Sequence, residues 1–137
     1  MTSRPAKRRP AAEQDQMLLN VLRKAEGPVS AYDLIEMLRP SAVLAPQTVY
    51  RSLDRLIENG HAHRLESLNA YVSCRHPDHH EATAFAICRS CRKVIEFDER
   101  RVSTHLRKWA GENDFELAQV TLELHGTCSA CRSQLAV

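Results

Sequence analysis

Two Cys-x-x-Cys pairs, Cys88/Cys91 and Cys128/Cys131, stand far apart in a chain of 137 residues that has one other cysteine, Cys74. Two residues between the cysteines of each pair let a tight turn aim both sulfurs at one ion. Two such turns together supply the four thiolates of a closed tetrahedral zinc site, with Zn–S distances of about 2.3 Å. The alternative reading is a pair of disulfides or redox motifs. It fits poorly, because no leader-like apolar stretch follows the N-terminal basic residues and no thioredoxin-like βαβ context surrounds either pair.

With 43% apolar and 26% charged residues, the chain suits a compact protein of one domain or two small ones. Neither half can build a large core alone, which is the circumstance in which a structural metal or a partner subunit contributes most. No apolar run approaches the length of a membrane span, so the expectation is a cytoplasmic protein. The formal net charge of +2 is unevenly spread. Residues 1–65 carry ten Lys/Arg against seven Asp/Glu, and the remainder nine against ten. The first half is therefore the better candidate for contacting phosphates.

Residues 1–12, rich in Pro, Ala, Arg and Lys, read as a flexible basic arm. From Asp15 to Arg23, Met17, Leu18, Val21 and Leu22 share one helical face, and Gly27-Pro28 ends that helix. Ser30 is a natural cap for a second helix whose buried stripe is Leu34, Ile35 and Leu38. A third begins near Pro46 and runs to Asn59 before Gly60, with Val49, Leu53, Leu56 and Ile57 buried. That leaves Gln47, Thr48, Tyr50, Arg51, Asp54 and Arg55 on other faces. The stretches 61–66 and 70–74 flank a Ser67-Leu68-Asn69 turn and read as a β-hairpin.

Three short helices followed by a hairpin make a winged helix, here over residues 13–74. In that arrangement the third helix enters the major groove of DNA. Arg51, Gln47 and Thr48 then reach base edges, while Tyr32, Tyr50 and the basic arm approach the backbone. A small protein-binding helical domain is the plainer alternative.

Five of the seven histidines crowd around the hairpin and the segment after it: His61, His63, His76, His79 and His80. Period-two alternation puts His63 on one strand where it can meet Cys74 from the facing strand. His79 or His80 offers a third ligand and Glu96, beyond Cys91, a fourth. A shell of His63, Cys74, His80 (or His79) and Glu96 matches the thiolate, imidazole and carboxylate preferences of Zn²⁺. Its ligands span the hairpin, a hinge at residues 75–82 and a second domain at residues 83–137, so an ion there would select one arrangement of the DNA-reading head.

The order of these residues resembles the ferric uptake regulator family, and within it the zinc-responsive branch. The likeness rests on Ser30-Ala31-Tyr32-Asp33-Leu34, on Pro46 to Asp54, on His63 to Ser67 with Tyr71-Val72, on Cys88-Arg89-Ser90-Cys91 with Val94-Ile95-Glu96, and on His125 to Cys131. It implies an α+β fold, with a winged-helix head followed by a small α/β dimerisation domain built around a four-cysteine zinc site. It implies a homodimeric repressor, carrying two zinc ions per subunit, that binds operator DNA when the hinge site is filled and controls zinc uptake genes. DNA contacts carry over to Tyr32 and Arg51, and a pairing between neighbouring dimers to Glu36 and Arg39. The iron- and peroxide-responsive branches carry histidines where this chain has Thr83 and Phe85. Ala12-Glu13-Gln14-Asp15 also replaces the usual Thr-Pro-Gln-Arg.

In the second half, residues 82–87 and 94–97 read as strands, 100–110 as a helix and 115–124 as a strand whose even-numbered face, from residue 118, is apolar and buried. Its free edge could pair with a second subunit. Two rival functions remain. A zinc deaminase is suggested by His79-His80-Glu81 before Cys88-Arg89-Ser90-Cys91, but Ala86-Ile87 stands where that signature has Pro, and a second Cys-x-x-Cys would close the open metal position. A zinc chaperone or store lacks any need for a recognition helix bearing Arg51.

Overall fold

The computed structural model describes residues 10–74, 83–118 and 120–135, and the chain divides into two compact units, Met1–Cys74 and Arg75–Val137. In the first, Pro10 (φ −56°) introduces α1 (Ala11–Lys24). The last two residues of the stretch read as an arm, Ala11 and Ala12, are thus helical: a proline with its fixed φ is well suited to open a helix, and both alanines propagate it. Residues 1–9 lie outside the described residues. Ser30 caps α2 (Ala31–Leu38), its Oγ accepting from the Asp33 N–H at 3.0 Å. Pro46 opens α3 (Pro46–Glu58).

The three helices bury Leu18, Leu22, Leu34, Leu38, Val49, Leu53 and Leu56 together. Each such side chain contributes about 1.5–3 kcal/mol on removal from water. Gly60, at φ +78°, takes the left-handed conformation that lets the chain leave α3, and the His61 N–H then closes the end by bonding to the Leu56 carbonyl at 2.8 Å.

The hairpin pairs β1 (Ala62–Leu65) with β2 (Ala70–Ser73), and Asn69, at φ 48°, takes the left-handed turn position. Val29 adds a short third rung, exchanging both backbone hydrogen bonds with Tyr71 at 2.8 and 2.9 Å. That rung ties the loop before α2 to the wing. The proline before it hides it from pattern reading.

The second unit is a three-stranded sheet of order β4-β3-β5, with β3 (Thr83–Cys88) central, β4 (Val94–Asp98) antiparallel to it and β5 (Thr121–Gly126) parallel. Phe85, fully buried, sits between Glu96 and Glu123 in register. Between β4 and β5 runs α4 (Arg100–Glu112), capped by the Glu99 carboxylate, which accepts from the Arg101 and Val102 N–H groups. A short α5 (Ser129–Leu135) follows.

Two expectations change here. The last strand begins at Thr121 instead of residue 115, because the Phe115 N–H bonds back to the Ala110 carbonyl at 2.8 Å and its ring lies 5.9 Å from that of Trp109. The chain is still leaving α4 at that point. Nor is the even face of β5 buried in the single chain: Leu124 is 51% exposed. No helix among the described residues is long and apolar enough to cross a membrane.

Candidate metal centres and DNA-facing helix

The parallel register of β3 and β5 brings the two Cys-x-x-Cys turns together. It sets Cys88 beside Gly126, and the Arg89 N–H bonds to the Gly126 carbonyl at 2.8 Å, so the chain delivers Cys128 two residues later. The first turn folds back through bonds between Cys88 and residues 92–93, with Arg92 in the left-handed region at φ 64°. The second enters α5, the Arg132 N–H bonding to the Cys128 carbonyl.

The sulfurs of Cys88, Cys91, Cys128 and Cys131 all lie within 4.8 Å of one another, and Cys91 Sγ is 3.7 Å from Cys128 Sγ. A tetrahedron with Zn–S bonds of about 2.3 Å has sulfurs about 3.8 Å apart, so the spacing fits that ion.

The electrostatics of the cluster agree. Backbone N–H groups, those of Cys91 and Cys128 foremost, hold the Cys88 thiol down at about 6. The Cys128 N–H stands 3.3 Å from the Cys88 sulfur. Cys128 is lowered in turn by the Cys131 N–H, whereas hydrogen bonding to Cys128 pushes Cys131 up to about 12. Four sulfurs this close cannot all ionise against one another, and a divalent cation is what lets them. This is a four-cysteine structural zinc site with no open coordination position.

The second set of predicted ligands begins on the wing. Register pairs His63 with Val72, and the Cys74 N–H bonds to the His61 carbonyl at 2.8 Å. Cys74 is therefore one diagonal step from His63 on the same face of the hairpin, and their ligand atoms lie within 4.8 Å. Both are half-buried. Glu96, also half-buried, sits on β4 opposite Phe85. His76, His79 and His80 lie outside the described residues.

On α3, Gln47, Tyr50 and Arg51 are exposed and Thr48 half-buried, while Tyr32 at the start of α2 is 71% exposed. Glu36 and Arg39 pair within the single chain at 3.0 Å.

Arg55 is not available in the way its face suggested. The α1 carboxylate of Asp15 takes its Nε at 3.0 and 3.2 Å and its Nη2 at 2.8 Å, and the same carboxylate accepts from the fully buried Ser52 hydroxyl. This α1–α3 clamp escapes sequence reading. Its one visible trace is a serine interrupting the apolar stripe Val49, Leu53, Leu56.

The model of the ferric uptake regulator family matches residues 10–125. The zinc uptake regulation protein of Escherichia coli K12 is 38% identical over 118 residues, 83% of this chain and 68% of that protein. A solved zinc uptake regulator complexed with zinc and DNA superposes with a TM-score of 0.82 at 37% identity, over 90% of this chain and 84% of that one. Holo XcZur superposes at 0.80, also at 37% identity, over 95% and 89%. The chain belongs to the ferric uptake regulator family, and it is a metal-responsive, DNA-binding transcription regulator, not an enzyme.

Proposed function

We propose that this chain is a zinc-responsive repressor that binds operator DNA as a homodimer and controls genes of zinc uptake. The observation that carries the zinc reading is the His63–Cys74 pair on the wing, a thiol and an imidazole offered within 4.8 Å on the hairpin that closes the first unit. A thiol in the sensory set favours a softer ion than an all-oxygen and nitrogen set would. Glu96 and His80, or His79 in its place, complete the proposed shell, with residues 75–82 as the hinge between a head at 13–74 and a dimerisation domain at 83–137. The E. coli relative is a zinc uptake regulation protein, which supports the same choice.

In this reading the four-cysteine site is structural and the wing site regulatory, giving two zinc ions per subunit. Zinc, when bound, supplies the divalent charge that joins ligands from the wing and the second unit. The chain's own residues do the rest. Gln47, Thr48 and Arg51 on α3 address the major groove, and Tyr32 and Tyr50 steady the backbone. Dimerisation is supported by apolar surface that the single chain leaves open: Leu124 on edge strand β5, Ile95 on β4, and Val102, Leu106 and Trp109 along α4.

The test is a graded chelator titration of the zinc-loaded protein, following metal content and binding to a duplex selected from a random library. One zinc leaving first and taking DNA binding with it, while a second stays, is the expected result. Cys74→Ser should retain the tight zinc and lose zinc-dependent binding. DNA binding that ignores zinc removal would refute the regulatory role.

A further inference from the structure

The clamp between Asp15, Ser52 and Arg55 has a bearing on sequence-independent affinity for DNA. Arg55 lies four residues after Arg51 on α3, hence on the same side of the helix one turn further on, about 6 Å along its axis. A free guanidinium there would add a second positive charge to the surface that bears Arg51. Phosphate attraction of that kind raises affinity for every sequence alike and carries no base information.

Asp15 removes the charge from play. Its carboxylate is only 18% exposed and is anchored by the buried Ser52 hydroxyl, so it cannot swing away, and it grips Arg55 through two nitrogens. The Arg55 side chain, 35% exposed, lies on the rim between core and solvent, within reach of phosphate only if those charge-assisted bonds break.

We propose that Asp15 restrains sequence-independent DNA affinity: it pins Arg55 of the recognition helix against α1 and so keeps that guanidinium off phosphate. The proposal rests on the reading of α3 as the groove-facing helix.

The experiment uses zinc-loaded, full-length protein and measures anisotropy of a library-selected duplex and its scrambled counterpart across a salt series. Asp15→Asn keeps a carbonyl oxygen for Ser52 and deletes the charge. It should steepen the slope of log K against log salt by about one per bound head on selected and scrambled DNA alike, raising both affinities and leaving their ratio unchanged. Adding Arg55→Gln to Asp15→Asn should return the slope to that of the unmodified protein, and Arg55→Gln alone should leave it unchanged.

An unmoved slope in Asp15→Asn overturns the proposal, as does a shallower slope in Arg55→Gln alone, since Arg55 would then already touch phosphate. Arg51→Ala separates the two failures. Selectivity retained in that variant removes the recognition-helix reading and the proposal with it. Selectivity lost there, together with an unmoved Asp15→Asn slope, removes the proposal alone.

Discussion

Replacing Asp15 by Ala should destabilise the first unit by about 2–3 kcal/mol, and most of the loss should come from Ser52 instead of Arg55. The Ser52 side chain is fully buried, so its hydroxyl loses its acceptor with no water to replace it, at a cost of about 1–3 kcal/mol. Arg55 is a third exposed and can turn to solvent, which limits its share to about 1 kcal/mol or less.

All three tyrosines, Tyr32, Tyr50 and Tyr71, lie in the first unit, so their near-ultraviolet circular dichroism reports its urea unfolding. With a slope of about 1 kcal/mol per molar, the midpoint should fall by about 2 M. Double-mutant cycles should show stronger coupling of Asp15 to Ser52 than to Arg55.

The effect should also depend on pH. Burial pushes the Asp15 carboxyl up, but hydrogen bonds from Arg55 and Ser52 and the charge of Arg55 outweigh it and hold the group below its ordinary 3.8. A lowered carboxylate stabilises the fold above its unfolded pKa and loses that contribution as pH falls through the folded value. The gap between the unmodified protein and Asp15→Ala should therefore be full at pH 6 and shrink below about pH 4. A midpoint shift under about 0.5 M, or stronger coupling to Arg55 than to Ser52, would refute this account of the clamp.

Gly60→Ala should cost about 1–2 kcal/mol in the same urea assay, because φ is +78° while an added Cβ meets nothing within 4 Å. Gly60→Asn should cost less, and an Ala variant as stable as the parent would argue against the left-handed turn. Cys91→Ser should release the tightly held zinc and unfold the second unit, seen in the fluorescence of Trp109, the chain's one tryptophan, while the tyrosine signal of the head persists. Leu124→Glu should shift the proposed dimer toward monomer in sedimentation velocity with its zinc content intact, and a dimer that persists would exclude the β5 face as part of the interface.

Local pattern made much of this protein legible. Helix faces follow from a 3.6-residue period and strands from a period of two, so the core leucines of α1–α3 and the hairpin bearing His63 could be read directly. The Cys-x-x-Cys spacing encodes its own turn, which is why the four-cysteine cluster was recognisable before any fold was known. Exposure of Leu124 was not, since an apolar strand face reads the same whether it is covered by its own chain or left for another.

What only the tertiary structure decided are meetings between residues remote in sequence. The parallel pairing of β3 with β5 sets Cys88 near Cys128, 40 residues on, and the packing of α1 on α3 carries Asp15 to Ser52 and Arg55, 37 and 40 residues away. Periodicity says which face of an element is buried, but not which element covers it or at what register. For that reason the sequence by itself determined the four-cysteine metal site and the helix that bears Arg51, whereas the availability of Arg55 depended on a carboxylate that only folding brings to it.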